Sequence, residues 1–112
     1  MQSTKINDQY AVGPQIGAGD ADAIREAGYR VVICNRPDGE EPGQPTAADI
    51  AAACKAAGLS FHHLPFQGAN LAPELIDAFR EVLDNADGPV FAYCRSGQRC
   101  AYLWQNAMTG GR

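Results

Sequence analysis

Residues 89–99 read PVFAYCRSGQR, and this stretch decides the fold. Its first half is an apolar run, typical of a strand that is buried on both faces of a parallel sheet. Cys94 follows the strand directly, Gly97 permits a tight turn, and a helical pattern begins soon after it. Ligands of α/β proteins bind where a parallel strand ends and the next helix begins. The stretch therefore predicts an α/β fold with a functional site around Cys94.

The same alternation of strand and helix extends through the rest of the chain. Apolar runs predict further strands at residues 10–13, 29–35 and 59–66. Helices are predicted to begin at the N-caps Asp20 and Thr46 and at Pro73. This order predicts a single three-layer α/β domain, with a mostly parallel central sheet and helices on both faces. We treat residues 1–112 as one domain, which a closing helix or a fused partner domain could follow.

Composition and charge narrow the classes of function. The chain is 46% hydrophobic and 20% charged, and its net charge of -4 opposes binding to nucleic acids or anionic membranes. A small anionic substrate is still compatible, because nearby arginines can outweigh a distant negative surface. No apolar run reaches the ~18 residues of a membrane span, and the N-terminus lacks a signal-peptide core, so we expect a cytoplasmic protein. The four cysteines form no CxxC pair, which favours reduced thiols without a metal site or cofactor.

The loop after the strand points to thiol chemistry. Backbone N–H groups at a helix N-terminus lower the pKa of a cysteine and stabilise its thiolate. Cys94 is therefore the predicted nucleophile, and Arg99 could present its planar fork to an oxyanion. The alternative is that Cys94 is only a small buried hydrophobe. The loop amides and side chains predicted to bind substrate are those of Arg95, Ser96, Gly97 and Gln98.

The segment 91–99 resembles the active loop of the bacterial β-lactamase hydrolase-like protein, phosphatase-like domain. The resemblance extends to residues 10–15, to residues 34–40 and to the Gln67-Gly68 turn. It implies a fold like that of the cysteine phosphatases and a loop like that of the rhodaneses. It also implies a fused or associated partner with a metallo-β-lactamase fold or a sulfide-oxidising activity.

Loop length and the lack of an acid favour sulfur transfer over phosphate hydrolysis. Cysteine phosphatases resemble one another in having five residues between cysteine and arginine, whereas four residues separate Cys94 from Arg99. The loop 66–72, where such phosphatases carry a general acid, has no carboxylate. We therefore expect a sulfurtransferase that moves sulfane sulfur to a thiol acceptor through a Cys94 persulfide. The alternatives are a protein tyrosine or dual-specificity-like phosphatase with a phosphocysteine intermediate, and a non-catalytic module that binds anions.

Three residues are candidates for accessory roles. Cys100 occupies a position where the family commonly has serine or threonine. It is a weaker donor to the thiolate, so it could instead be a resolving thiol or simply pack against the loop. Arg36 could contact substrate or pair with Asp38. Asp38 or Glu40 could replace the missing acid, although a solvated turn explains both.

Overall fold

The computed structural model describes residues 2–109, which form a five-stranded sheet between two layers of helices. The strands are β1 Thr4–Asn7, β2 Tyr10–Gly13, β3 Val31–Cys34, β4 Ser60–His63 and β5 Val90–Tyr93. The helices are α1 Ala21–Glu26, α2 Ala47–Ala56, α3 Pro73–Asn85 and α4 Gln98–Thr109. This arrangement confirms the predicted three-layer α/β class.

Three parallel strands end side by side at one edge of the sheet, which we call the mouth of the site. Its order is β1-β2-β5-β3-β4, and all neighbouring pairs are parallel except β1 with β2. Gly13 and Cys34 both pair in register with Tyr93, so β2, β3 and β5 end at the same level. Cys94, which follows the central strand, is therefore flanked by the segments that leave β2 and β3.

Alternate residues of the strands face two separate cores. Ala11, Val32 and Phe91 pack with Ile24 of α1 and Ile50 of α2. Their neighbours along the strands belong to the opposite core, which includes Val12, Ile33 and Ala92 together with Phe79 of α3 and Leu103 of α4. The period-two alternation of side chains thus divides the helices into one pair on each face.

The ends of the helices follow the predicted chemistry. The Thr46 hydroxyl accepts a hydrogen bond from the Asp49 amide at 3.1 Å and caps α2. Gly28 and Gly58 end the first two helices with φ angles of +104° and +83°, in the left-handed region that favours glycine. Within residues 2–109, no helix is both long enough and apolar enough to cross a bilayer.

Three local features differ from the sequence prediction. Strand β1 was not predicted because it is short and mostly exposed, and it pairs only with β2 at one edge of the sheet. The sequence pattern of the first helix places Ala23, Ile24 and Ala27 on one apolar face, but of these three only Ile24 is buried. The alternation of side chains along a strand predicts that His62 and His63 point one inward and one to solvent, but both are exposed on β4, the opposite edge strand.

Candidate active site

The loop that begins at Cys94 is attached to the end of β2. The Cys94 amide donates to the Gly13 carbonyl at 3.3 Å, and the Gln15 amide donates to the Arg95 carbonyl at 3.4 Å. Gly97 has a φ of +96°, and a Cβ added there would lie 3.3 Å from the carbonyl carbon and oxygen of Gly13. Only glycine suits both the backbone angle and the close approach at this position.

The loop stabilises Cys94 as a thiolate. The Gly97 amide donates to the Cys94 sulfur at 3.0 Å, and Cys94 is almost fully buried. A hydrogen bond from the Cys100 side chain is the largest of the effects that lower the pKa of Cys94 to about 5, while burial opposes them. Backbone hydrogen bonds from Cys100, Ser96 and Gly97 lower it further. Cys94 is therefore ionised at neutral pH, as a nucleophile requires.

The other three cysteines remain thiols at neutral pH. Burial raises the pKa of Cys54 to about 11, and it also raises the pKa values of Cys34 and Cys100. Cys100 therefore keeps its proton and can donate it to the Cys94 thiolate. Its backbone carbonyl accepts a hydrogen bond from the Tyr10 hydroxyl at 3.0 Å, which ties the first turn of α4 to β2. The low pKa of Cys94 favours the donor role for Cys100 that the sequence prediction considered weak, and this role stays a prediction.

Arg99 lies beside the loop and is hydrogen-bonded to residues outside it. Its Nη1 and Nη2 donate to the two carboxylate oxygens of Glu40 at 2.9 and 2.7 Å. Nη1 also donates to the Phe66 carbonyl at 3.2 Å. The interaction with Cys94 contributes to raising the pKa of Arg99, after the larger effect of the Glu40 hydrogen bonds. The arginine is therefore close to the thiolate and still positively charged.

The accessory residues on the loop after β3 have different partners from those predicted. Arg36 is buried and pairs with Glu40 at 3.0 Å and Glu41 at 2.8 Å, not with Asp38. A carboxylate oxygen of Asp38 accepts from the Ala47 amide at 2.8 Å, at the start of α2. Hydrogen bonds from Arg99, Gln67 and Arg36 lower the pKa of Glu40 to about 2. Glu40 is therefore ionised at neutral pH and cannot supply a proton as a general acid.

The remaining predicted binding residues line the outer part of the loop. Arg95, Ser96 and Gln98 are exposed, and the Ser96 hydroxyl accepts from the Gln98 amide at 3.3 Å. Next to Arg99 lies a shallow cleft of about 210 Å³ that is also lined by Gly68, Ala69, Gln98 and Tyr102. Contact of these loop residues with a substrate stays a prediction.

The sequence prediction missed the part that Glu40 plays in linking two arginines. Glu40 was considered only as an acid, whereas it joins Arg36 on the loop after β3 to Arg99 on α4. A signal was available, because Glu40 follows a strand that ends at the same mouth as the strand before Cys94. Charged residues at the carboxyl ends of neighbouring parallel strands are expected to meet.

Residues 3–110 match the family described as β-lactamase hydrolase-like protein, phosphatase-like domain. The chain belongs to this family. It is 35% identical over 104 residues to the β-lactamase hydrolase-like protein of Agrobacterium fabrum (strain C58), covering 93% of this chain and 24% of that protein. The chain thus spans about a quarter of that relative, and the expected partner domain stays a prediction.

Solved structures share the fold of this phosphatase-like domain. A candidate phosphatase from Neisseria meningitidis Z2491 is 36% identical, with a TM-score of 0.85 over 96% of this chain and 78% of that chain. TpbA of P. aeruginosa, solved in complex with pTyr, has a TM-score of 0.68 over 98% of this chain and 65% of that chain. At 13% identity, the likeness to TpbA shows the fold alone. The family and the Neisseria protein agree with the phosphatase-like alternative and give no support to the preference for sulfur transfer.

The role of Cys100 can be tested through the pKa of Cys94. We expect Cys100→Ala to raise that pKa by roughly one unit or more, because hydrogen bonds to charged groups contribute about 1.5–3 kcal/mol. Cys100→Ser should keep it low, since a hydroxyl is a good donor. The pH dependence of Cys94 alkylation by iodoacetamide measures the change, with Cys54→Ala as the control. An unchanged profile in Cys100→Ala would show that the loop amides suffice.

Proposed function

We propose that this phosphatase-like domain is a cysteine-dependent phosphohydrolase that acts on small, activated phosphate esters. One observation carries the proposal. The ionised Cys94 sulfur accepts a hydrogen bond from the Gly97 amide at 3.0 Å, in a loop that Arg99 borders. A thiolate surrounded by N–H donors can both attack an electrophile and hold the oxyanion around it. Membership of a phosphatase-like family supports phosphorus as the electrophile.

The reaction would proceed through a covalent intermediate. The Cys94 thiolate attacks phosphorus, the sulfur–phosphorus bond forms, and the bond from phosphorus to the leaving oxygen breaks. Water then attacks the phosphocysteine, which releases phosphate and restores the thiolate. Loop amides and Arg99 would carry the negative charge of the phosphoryl oxygens in both steps.

The carboxylates near the site restrict the leaving group. Asp38 accepts a hydrogen bond from the Ala47 amide at the start of α2, and Glu40 is ionised and bound to two arginines, so neither is suited to protonate a departing oxygen. Esters whose leaving group is a weak base do not need that proton. The exposed ring of Tyr102 beside Arg99 offers an apolar surface to an aromatic leaving group. Aryl phosphates are therefore the substrates that we expect to be cleaved fastest.

A series of aryl phosphates tests this function directly. We expect kcat/KM to fall steeply as the pKa of the phenol rises, because neither Asp38 nor Glu40 is placed to protonate the leaving oxygen. The intermediate can be trapped by rapid acid quench and located by mass spectrometry as a phosphoryl group on Cys94. Absence of turnover across the whole series would refute the proposal, and equal rates for all phenols would show that a general acid exists.

Sulfur transfer is the second candidate, favoured by the four-residue spacing from Cys94 to Arg99. Here the thiolate attacks the outer sulfur of thiosulfate, the sulfur–sulfur bond breaks, and sulfite leaves. An acceptor thiolate then takes that sulfur from the Cys94 persulfide and restores the Cys94 thiolate. Neither step needs an acid on the protein. The intact mass after incubation with thiosulfate separates the candidates, because a gain of one sulfur on Cys94 supports transfer.

Two wider expectations belong with this proposal. The chain spans 24% of its Agrobacterium relative, which supports a larger protein in which this domain works beside another domain. We propose that the partner is the metallo-β-lactamase-fold or sulfide-oxidising module implied by the family resemblance. We also propose a cytoplasmic location, because all four cysteines are free thiols, as is usual in a reducing compartment. If neither phosphate nor sulfur is transferred but oxyanions raise the melting temperature, the domain is an anion-binding module.

A further inference from the structure

Arg99 uses only part of its donor capacity in contacts away from the loop. A guanidinium has five N–H donors, of which Glu40 and the Phe66 carbonyl take three. The bonds to Glu40 use the end of the fork formed by Nη1 and Nη2, and the second Nη1 donor goes to Phe66. What is left is the side edge, with the Nε–H and one Nη2–H lying parallel.

This side edge is the part of Arg99 that can contact the active loop. The Cys94 thiolate contributes, after Glu40, to raising the pKa of Arg99, which places the sulfur close to the guanidinium. Since Glu40 and Phe66 occupy the other donors, we expect the remaining edge to face the thiolate. Two parallel N–H groups match two oxygens of a tetrahedral oxyanion.

Glu40 is itself fixed in place on every side. Its Oε1 accepts from Arg36 at 3.0 Å and from Arg99 at 2.7 Å. Its Oε2 accepts from Arg99 at 2.9 Å and from Gln67 at 2.8 Å. Arg36 is only 1% exposed and is held in turn by Gln15, which follows β2. Four donors thus saturate the carboxylate and orient its plane toward Arg99.

We propose that Glu40 is the positioning residue for Arg99 and directs the free edge of the guanidinium at the oxyanion bound over Cys94. The identity of that oxyanion as a phosphoryl group depends on the proposed function, whereas the positioning does not. Residues that hydrogen-bond to metal ligands play a similar role in metal sites, because they fix the orientation of the ligand. The orientation of Arg99 decides how well its N–H groups align with the oxyanion.

Charge and positioning predict opposite effects of removing the carboxylate. Glu40→Gln deletes a negative charge beside two arginines, so a purely electrostatic role predicts tighter binding of an anion. The glutamine amide would also place an N–H group where the carboxylate had accepted a hydrogen bond from Arg99. The guanidinium would therefore lose its fixed orientation. Positioning therefore predicts weaker binding, despite the more positive site.

The experiment measures how well tungstate, a tetrahedral oxyanion, protects Cys94 from iodoacetamide in the folded chain. We expect Glu40→Gln to weaken protection about 10- to 100-fold, because small misplacements of a binding group cost that much. Glu40→Asp keeps the charge but shortens the reach, so it should also weaken protection. Glu41→Gln is the matched control, since Glu41 binds Arg36 while the hydrogen bonds of residues 2–109 place it on no atom of Arg99.

The same Glu40 substitution, made in a protein that already lacks the Arg99 side chain, shows whether Glu40 acts through Arg99. In Arg99→Ala, the further change Glu40→Gln should have little additional effect on protection or on kcat/KM. Protection that is unchanged or tighter in both Glu40 variants, or equal effects of Glu40→Gln and Glu41→Gln, would overturn the proposal. Protection is read without turnover, so the result holds even if aryl phosphates are not cleaved. Circular dichroism melts confirm that each variant is folded.

Discussion

Cys94→Ser is expected to lower turnover of an aryl phosphate by about 10⁴-fold or more, the scale seen when a nucleophile is removed. A serine hydroxyl is not ionised at neutral pH, and Glu40, the carboxylate nearest Arg99, is engaged by Arg99, Gln67 and Arg36. The loop amides that stabilise a sulfur anion would face a neutral oxygen instead. Stopped assays with wild-type and variant protein at equal concentration measure the loss.

The matched control for this prediction is Cys54→Ser. Cys54 is a buried thiol on α2 whose pKa is raised to about 11 by burial, so it contributes no thiolate near neutrality. The control is expected to lose stability, because it buries a hydroxyl, but to keep its turnover per folded molecule. Residual activity of Cys94→Ser close to that of the control would show that Cys94 is not the nucleophile.

Arg99→Lys is expected to reduce kcat/KM by about 10²- to 10³-fold, as when one oxyanion donor is removed from an active site. Lysine keeps the positive charge but loses the planar fork, so it cannot bind Glu40 with one edge and an oxyanion with the other. Most of the loss should appear in kcat, because the parallel donors matter most when charge builds up on the phosphoryl oxygens.

Arg25→Lys is the control for the arginine prediction. Arg25 donates to the Gly58 carbonyl on the surface, far along the chain from the active loop. The alkylation profile of Cys94 provides a second readout, because it reports whether the loop itself is intact. A loss in Arg99→Lys no larger than that of the control would mean that Arg99 supports the fold without touching the oxyanion.

The elements with strong local patterns could be predicted from the sequence. The runs around Val90–Tyr93 and Val31–Cys34 are apolar on both faces because these strands lie inside the sheet. The capping residue Thr46 and the terminal glycines marked helix ends through local hydrogen bonding and backbone angles. Strand β1 lacked such a pattern, since an exposed edge strand does not require apolar side chains on either face.

Only part of the candidate site could be predicted from the sequence. Cys94 and the loop amides are adjacent in the chain, so a motif can describe them. Glu40 and Arg99 are 59 positions apart, and their pairing depends on how two strand ends align. Loop length, which favoured sulfur transfer, describes the shape of the cradle but leaves open which electrophile enters it, because one fold hosts several reactions.

The central place of β5 has a consequence for how the protein is made. β5 joins β2 to β3, and Tyr10 pairs with Val90 across 80 positions of chain. During synthesis, the first strands must wait for residues 90–93 before the sheet can close, so folding depends on contacts of long sequence separation. The active loop emerges directly after that strand. The thiolate of low pKa is therefore created only when the loop is folded, and a nascent chain carries cysteines with the ordinary pKa of about 8.5.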